Sequence, residues 1–185
     1  KKNTAKKQAG KKTHFFSKFT KNFDVEKNNS SNLTITTQKV SNDKYLKLYK
    51  IKSTLVDFNQ DTLENSIDYT LESDKFFLGL NSSIYETLKE EYNDKYEYVL
   101  PEINFDTNLF SNDTLGNLDL QSNFKIHNFD TNKTEKFLVN DFDWNFKTIN
   151  HNNGIKSKLN AKIKNVNYEA TNVDKLKEDH TNELF

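Results

Sequence analysis

Residues 116–127 read Gly116-Asn117-Leu118-Asp119-Leu120-Gln121-Ser122-Asn123-Phe124-Lys125-Ile126-His127. Leu118, Leu120, Phe124 and Ile126 share one parity with Ser122 among them, and every residue of the other parity is polar. Successive side chains of a strand point to opposite faces, so this period of two predicts a strand with one apolar and one wet side. Asn117, Asp119, Gln121 and Asn123 make up the wet side of its first half.

The same alternation recurs on both sides of this stretch. Leu63, Ile67, Tyr69 and Leu71 oppose Thr62, Glu64, Ser66, Asp68 and Thr70, and Ile155, Leu159, Ala161 and Ile163 oppose Lys156, Lys158, Asn160, Lys162 and Lys164. Weaker versions cover residues 15–23, 33–40, 45–58, 76–85, 96–105 and 137–149, with a parity break at Lys47 and Lys50 that predicts a bulge. Clusters of Ser, Asn, Asp and Gly at 41–44, 59–61, 73–74, 128–134 and 150–154 supply turns. Short links make neighbouring strands antiparallel, so the chain predicts an all-β, up-and-down meander of about nine strands. Two stretches stand apart. Residues 83–94 place Ile84, Leu88 and Tyr92 at helical spacing, so a short helix competes with the favoured reading of a strand end and loop, and the charged, aperiodic 170–185 reads as a loop leading toward further strands.

Composition narrows the function classes. The 185 residues include no Cys, which excludes a disulfide scaffold, a thiol enzyme and a Cys-ligated zinc module. Lysines number 27 with no Arg, and 27 acids balance them, so the basic arm at 1–12 gives no support for a nucleic-acid partner. Only 34% of residues are hydrophobic, yet 15 Phe, 8 Tyr and one Trp argue for packing rather than disorder. No apolar run approaches the roughly 20 residues of a helical membrane span, which leaves strand-built passage open because its strands are short and half polar. The chain opens at Lys1 without any Met and lacks an apolar signal segment in its first residues, so it is expected to belong to a longer reading frame.

Catalytic constellations are missing. His14, His127, His151 and His180 are scattered without metal spacing, and no nucleophile elbow, phosphate loop or dinucleotide fingerprint occurs. Asp106-Thr107-Asn108 and Asp130-Thr131-Asn132 resemble the start of a calcium loop but lack the later Gly and Glu, so both read as turns. The expectation is a non-enzymatic protein without cofactor or metal. Trp144 with Phe142 and Phe146, and Tyr92 with Tyr96 and Tyr98, fit a sugar-stacking platform, a lipid-facing stripe or ordinary half-buried packing.

A soluble glycan-binding β-sandwich and a membrane barrel both show two-faced strands. Strands of about 9–13 residues, the up-and-down order and aromatics near strand ends lean toward a barrel wall. An edge with four unpaired backbone groups in hydrocarbon costs on the order of ten kcal/mol, so such a sheet must close. With no start Met and no terminal strand signal, part of a larger barrel is preferred to a small complete one. The parity of Leu118, Leu120, Phe124 and Ile126 is then expected to face lipid, and that of Asn117, Asp119, Gln121 and Asn123 the lumen.

Three runs carry a resemblance. They are Ser41-Asn42-Asp43-Lys44-Tyr45-Leu46-Lys47-Leu48-Tyr49, Asp94-Lys95-Tyr96-Glu97-Tyr98-Val99-Leu100-Pro101-Glu102-Ile103 and Phe137-Leu138-Val139-Asn140-Asp141-Phe142-Asp143-Trp144. In order along the chain they resemble the barrel region of the LPS-assembly outer-membrane protein family (LptD/OstA), with versions from AT-rich marine alphaproteobacteria most similar. Tyr96, Tyr98, Pro101, Glu102, Asn140, Asp141, Phe142 and Trp144 are the motif positions. The resemblance implies a partial wall of a large outer-membrane β-barrel of a Gram-negative cell. Its cargo would be lipopolysaccharide, its surroundings outer-membrane lipid, and its partners a plug lipoprotein and a periplasmic bridge, with no bond broken. The family's jelly-roll, gate strands and linking cysteines have no counterpart in these residues, so no gate residue is carried over.

Overall fold

A computed structural model describes residues 12–25, 29–89, 94–177 and 179–185. Within them the strands are β1 (His14–Val25), β2 (Asn29–Val40), β3 (Thr62–Glu72), β4 (Phe76–Thr87), β5 (Tyr96–Asn112), β6 (Gly116–Phe129), β7 (Lys133–Asn145), β8 (Ile149–Asn150), β9 (Lys156–Ser157), β10 (Asn160–Thr171) and β11 (Thr181–Leu184), with one helix, α1 (Tyr45–Tyr49). Nine strands form one sheet in the order β1-β2-β3-β4-β5-β6-β7-β10-β11, each antiparallel to its neighbours, while β8 and β9 make a small hairpin in the link between β7 and β10. The first and last strands do not pair with each other, so the sheet is open, the arrangement of part of a barrel wall.

Register carries the alternation across the whole sheet. Leu33 pairs with Tyr69, Tyr69 with Leu80, Leu80 with Ile103, Ile103 with Phe124, and Phe124 with Leu138. One row down the opposite face, Thr34, Asp68, Asn81, Glu102 and Lys125 follow each other in the same way. Directly paired residues share a face, so a one-residue slip anywhere would throw apolar side chains onto the polar side. Two register shifts in β5, at Val99–Glu102 and Asn108–Phe110, reset its parity, which is how Tyr98, Ile103, Phe105 and Phe110 all reach the apolar face. Pro101, which lacks an N–H for the ladder, falls inside the first shift.

Turn chemistry sets the strand ends. Asp130, Thr131 and Asn132 adopt positive φ (39, 28 and 69°) between β6 and β7, so the turn expected there is present. Gly116 opens β6 at φ +83°, and a Cβ there would sit 2.0 Å from the Asn145 carbonyl oxygen, so only glycine fits.

Four expectations need correction. Residues 45–58 are not a bulged strand: α1 and an irregular segment replace it, because Tyr45 and Tyr49 pack together one turn apart, their tilted rings 4.9 Å between centres, while Leu46 is fully buried. Lys50, at φ 48°, ends the helix. Asp106-Thr107-Asn108 is not a turn; cross-strand pairing to Asp119, Leu120 and Gln121 holds it inside β5, which runs on to Asn112. The strand expected from Ile155 begins at Asn160 and continues to Thr171, leaving Ile155 and Leu159 exposed outside it. Residues 170–185 are not all loop: β11 pairs with β10 from Asn165↔Leu184 to Tyr168↔Thr181. The strand end expected from residue 83 is present, since β4 runs on to Thr87 before the chain leaves the sheet. The arm at 1–11 and residues 90–93 lie outside the described residues.

The buried core is small and lies at one end of the sheet. Val40, Tyr45, Leu46, Val56, Leu63 and Leu88 form it, with Phe16, Tyr49, Ile51 and Leu55 packed alongside. Each fully buried aliphatic side chain stabilises the fold by about 1.5–3 kcal/mol.

Candidate functional site: the two faces of the sheet

Large apolar side chains stand open on one face. Phe19 is 50% exposed, Ile67 53% and Ile163 50%, and Phe15, Phe23, Leu80 and Leu138 belong to the same parity. Leu118, Leu120, Phe124 and Ile126 lie on this face, half-buried among their neighbours. An exposed apolar area continued over many strands marks a surface made for lipid or for another protein. Trp144 lies at its rim, donating from Nε1 to the Leu115 carbonyl at 2.9 Å, stacked on Phe146 at 4.2 Å and edge-on to Phe110 at 5.8 Å. Tyr96 and Tyr98 (ring centres 6.3 Å apart) take the opposite end.

The other face is a hydrogen-bonded lattice. Asn117, Asp119, Gln121 and Asn123 all lie here: Ser111 donates to Asn117 at 2.7 Å, Asn108 to Asp119 at 2.8 Å and Asn123 to Asn104 at 2.6 Å. Lys162 meets Asp143 at 2.8 Å, Lys164 meets Asp141 at 3.2 Å, and Lys125 meets Glu102 at 3.8 Å. A groove of about 650 Å³ is bordered by Asp119, Gln121, Asp141, Asp143, Lys162 and Lys164, with Phe142, Ile163 and Phe185 adding an apolar part to its lining. Amides, carboxylates and ammonium groups side by side offer donors and acceptors to a hydrated ligand of either charge.

The motif positions do not converge on one point. Tyr96, Tyr98, Pro101 and Glu102 lie on β5, and Asn140, Asp141, Phe142 and Trp144 on β7, with β6 between them. Phe142 joins Leu120 and Ile163 in the apolar rows, while Asp141 belongs to the polar lattice.

The histidines sit apart. His14 Nδ1 is 3.0 Å from Tyr45 Oη, His151 Nε2 2.9 Å from Ser157 Oγ, and His180 is exposed. His127 Nε2 is 2.7 Å from Glu97 Oε1 and its Nδ1 3.8 Å from Glu135 Oε2, so the ring bridges β5, β6 and β7. Among the described residues no group of three His, Cys, Asp or Glu side chains could hold a metal ion, and no helix is long and apolar enough to cross a membrane.

Two features escaped the sequence reading. Ser122, Asn140 and Asn165 form a polar step on the apolar face, Ser122 donating to Asn140 at 2.7 Å and Asn140 to Asn165 at 3.5 Å. Between Leu118 and Ile126 only Ser122 interrupts the apolar parity, and only the register of three strands brings its partners beside it. The second is the segment 41–61, fastened by ion pairs. Lys47 bonds Asp61 at 2.6 Å, and this hydrogen bond, with the charge behind it, holds the Asp61 carboxyl below its usual range. Lys95 reaches Asp43 at 2.8 Å and Glu86 at 3.0 Å; the bond to Asp43 leads in raising its pKa above the ordinary lysine value, against the opposing effect of partial burial.

Comparison with known protein families, with curated proteins and with solved structures finds no match to this chain.

Proposed function

We propose that the chain forms part of the wall of an outer-membrane translocon that inserts lipopolysaccharide into the outer leaflet, a transport step without bond-breaking chemistry. One observation carries the reading: a single up-and-down sheet keeps an open apolar face and a charged, hydrogen-bonded opposite face in register from β1 to β10. Its long strands, 11 residues in β3 to 17 in β5, reach or exceed the roughly 9–11 that a tilted strand needs to cross a bilayer.

Physics supplies the rest. Hydrocarbon solvates Phe19, Ile67 and Ile163 where water does not. The polar lattice offers the sugar head a water-like surface, and the open edges pair with further strands so that no backbone group is left bare in lipid. A plug lipoprotein would fill the lumen and a periplasmic bridge deliver the cargo, as the resemblance implies. A soluble sandwich would instead lay a second sheet over the apolar face, whereas those side chains stand half exposed.

The experiment is fractionation of cells expressing the natural polypeptide. It should float with outer membranes, migrate differently on gels with and without heating, and lose lipopolysaccharide from the cell surface on depletion. A fully soluble monomer overturns the reading.

A further inference from the structure

We propose that residues 41–61 are a hinged strap that closes a slot in the wall between β2 and β3. The two strands are paired only from Ser30↔Glu72 to Thr36↔Ser66. Beyond that point β2 keeps β1 as far as His14↔Val40, and β3 keeps β4 as far as Thr62↔Thr87, but the two no longer pair with each other. The strap enters this gap in the plane of the sheet. Val40 has the parity of the polar face and Leu63 that of the apolar face, yet both are buried in the cluster that holds Leu46 and Val56.

The slot is bridged by side chains where a ladder would have run. The Gln38 N–H donates to Asn65 Oδ1 at 2.9 Å, and Gln38 Oε1 accepts the Glu64 N–H at 3.1 Å. The same Gln38 side chain is the latch, since its Nε2 donates to the Leu55 carbonyl of the strap at 3.0 Å and its Oε1 also faces Gln60 Nε2 at 3.4 Å. At the hinges Ser41 N–H bonds Thr13 O at 2.9 Å and Leu88 N–H bonds Asp61 O at 2.8 Å, contacts that survive when the strap swings out.

Separability makes the strap a gate rather than a fixed plug. Its departure breaks no strand pairing, because β2 stays with β1 and β3 with β4. The closed form also carries a burden that opening relieves: among the described residues, Tyr49 Oη is buried without a hydrogen-bond partner. Segments held by few ladder bonds open on their own, below the cost of global unfolding. The inference goes beyond the transport reading and does not depend on which face meets lipid.

Hydrogen–deuterium exchange on the full natural chain tests it, in whichever medium, bilayer or aqueous buffer, holds the protein folded. The amides of Leu48, Ile51 and Val56 should exchange together about ten-fold or more faster than those of β6 and β7. Gln38→Ala should speed the strap a further several-fold with the β6–β7 rates unchanged. Asp43→Asn, which frees Lys95 from the strap, provides a second variant with the same expected direction should Gln38→Ala fail to fold. Strap amides that exchange only at the rate of β6 and β7, or variants that speed both alike, overturn the proposal.

Discussion

Val40 and Leu63 project from opposite faces of the sheet and are nevertheless buried in one cluster, because the chain between their strands folds back into the wall. That cluster is the main buried apolar body of the described residues. Leu46→Ala should therefore cost about 2–5 kcal/mol, while Lys158→Ala, at an exposed position outside the sheet, should stay within about 0.5 kcal/mol. Denaturant unfolding followed by Trp144 fluorescence measures both. Equal effects would mean that the cluster does not organise the fold.

The polar step on the apolar face gives a prediction of opposite signs. If that face meets hydrocarbon, Asn140→Leu alone orphans the Ser122 hydroxyl and costs about 1–3 kcal/mol. Adding Ser122→Ala removes the orphan and should restore or exceed the original stability, since Asn165 Oδ1 keeps its bond from Asn167 at 2.6 Å. Thermal unfolding of the bilayer-reconstituted protein decides; a double variant as weak as the single one contradicts a hydrocarbon setting.

Asp141 and Lys164 pair across β7 and β10 at 3.2 Å with both side chains substantially exposed. Such pairs contribute about 0–1 kcal/mol, so Asp141→Ala should be mild. Asp141→Lys places two cations together and should cost more at low salt than at high salt. Exchanging the two residues should recover most of the loss in a double-mutant cycle, and failure to recover would mean that the side chains do not meet.

Acid should loosen the strap. The Asp61 pKa is lowered in the folded chain by Lys47, so its contribution is complete above the unfolded value of about 3.9 and is lost as pH falls through the folded one. Both groups are about half exposed, so the effect is small. Asp61→Asn should flatten this acid limb in a pH series of unfolding midpoints, and an unchanged slope would assign the limb to other groups.

Strand pairing was legible in the sequence wherever alternation ran unbroken, as in Leu118–Ile126 and Leu63–Leu71, because period two is a local signal. It failed where the decisive partner is remote. Tyr45–Tyr49 is helical because Leu46 finds the Leu63 cluster, and β11 is a strand because β10 offers it an edge. The β5 bulges were invisible for the same reason, their shifts being set against β6. The two faces were foreseen from residues 116–127, but the polar step and the Gln38 latch depend on register and splay that no single segment encodes.

The most direct test of the two-faced wall is a single-cysteine scan from Asn117 to Ile126, clean because the chain has no native cysteine. Each variant, reconstituted in bilayers and labelled with a fluorophore, is read with a lipid-soluble and a water-soluble quencher. Leu118, Leu120, Phe124 and Ile126 positions should be quenched from lipid, and Asn117, Asp119, Gln121 and Asn123 positions from water, in strict alternation. Equal access of the water-soluble quencher to both parities would contradict the account.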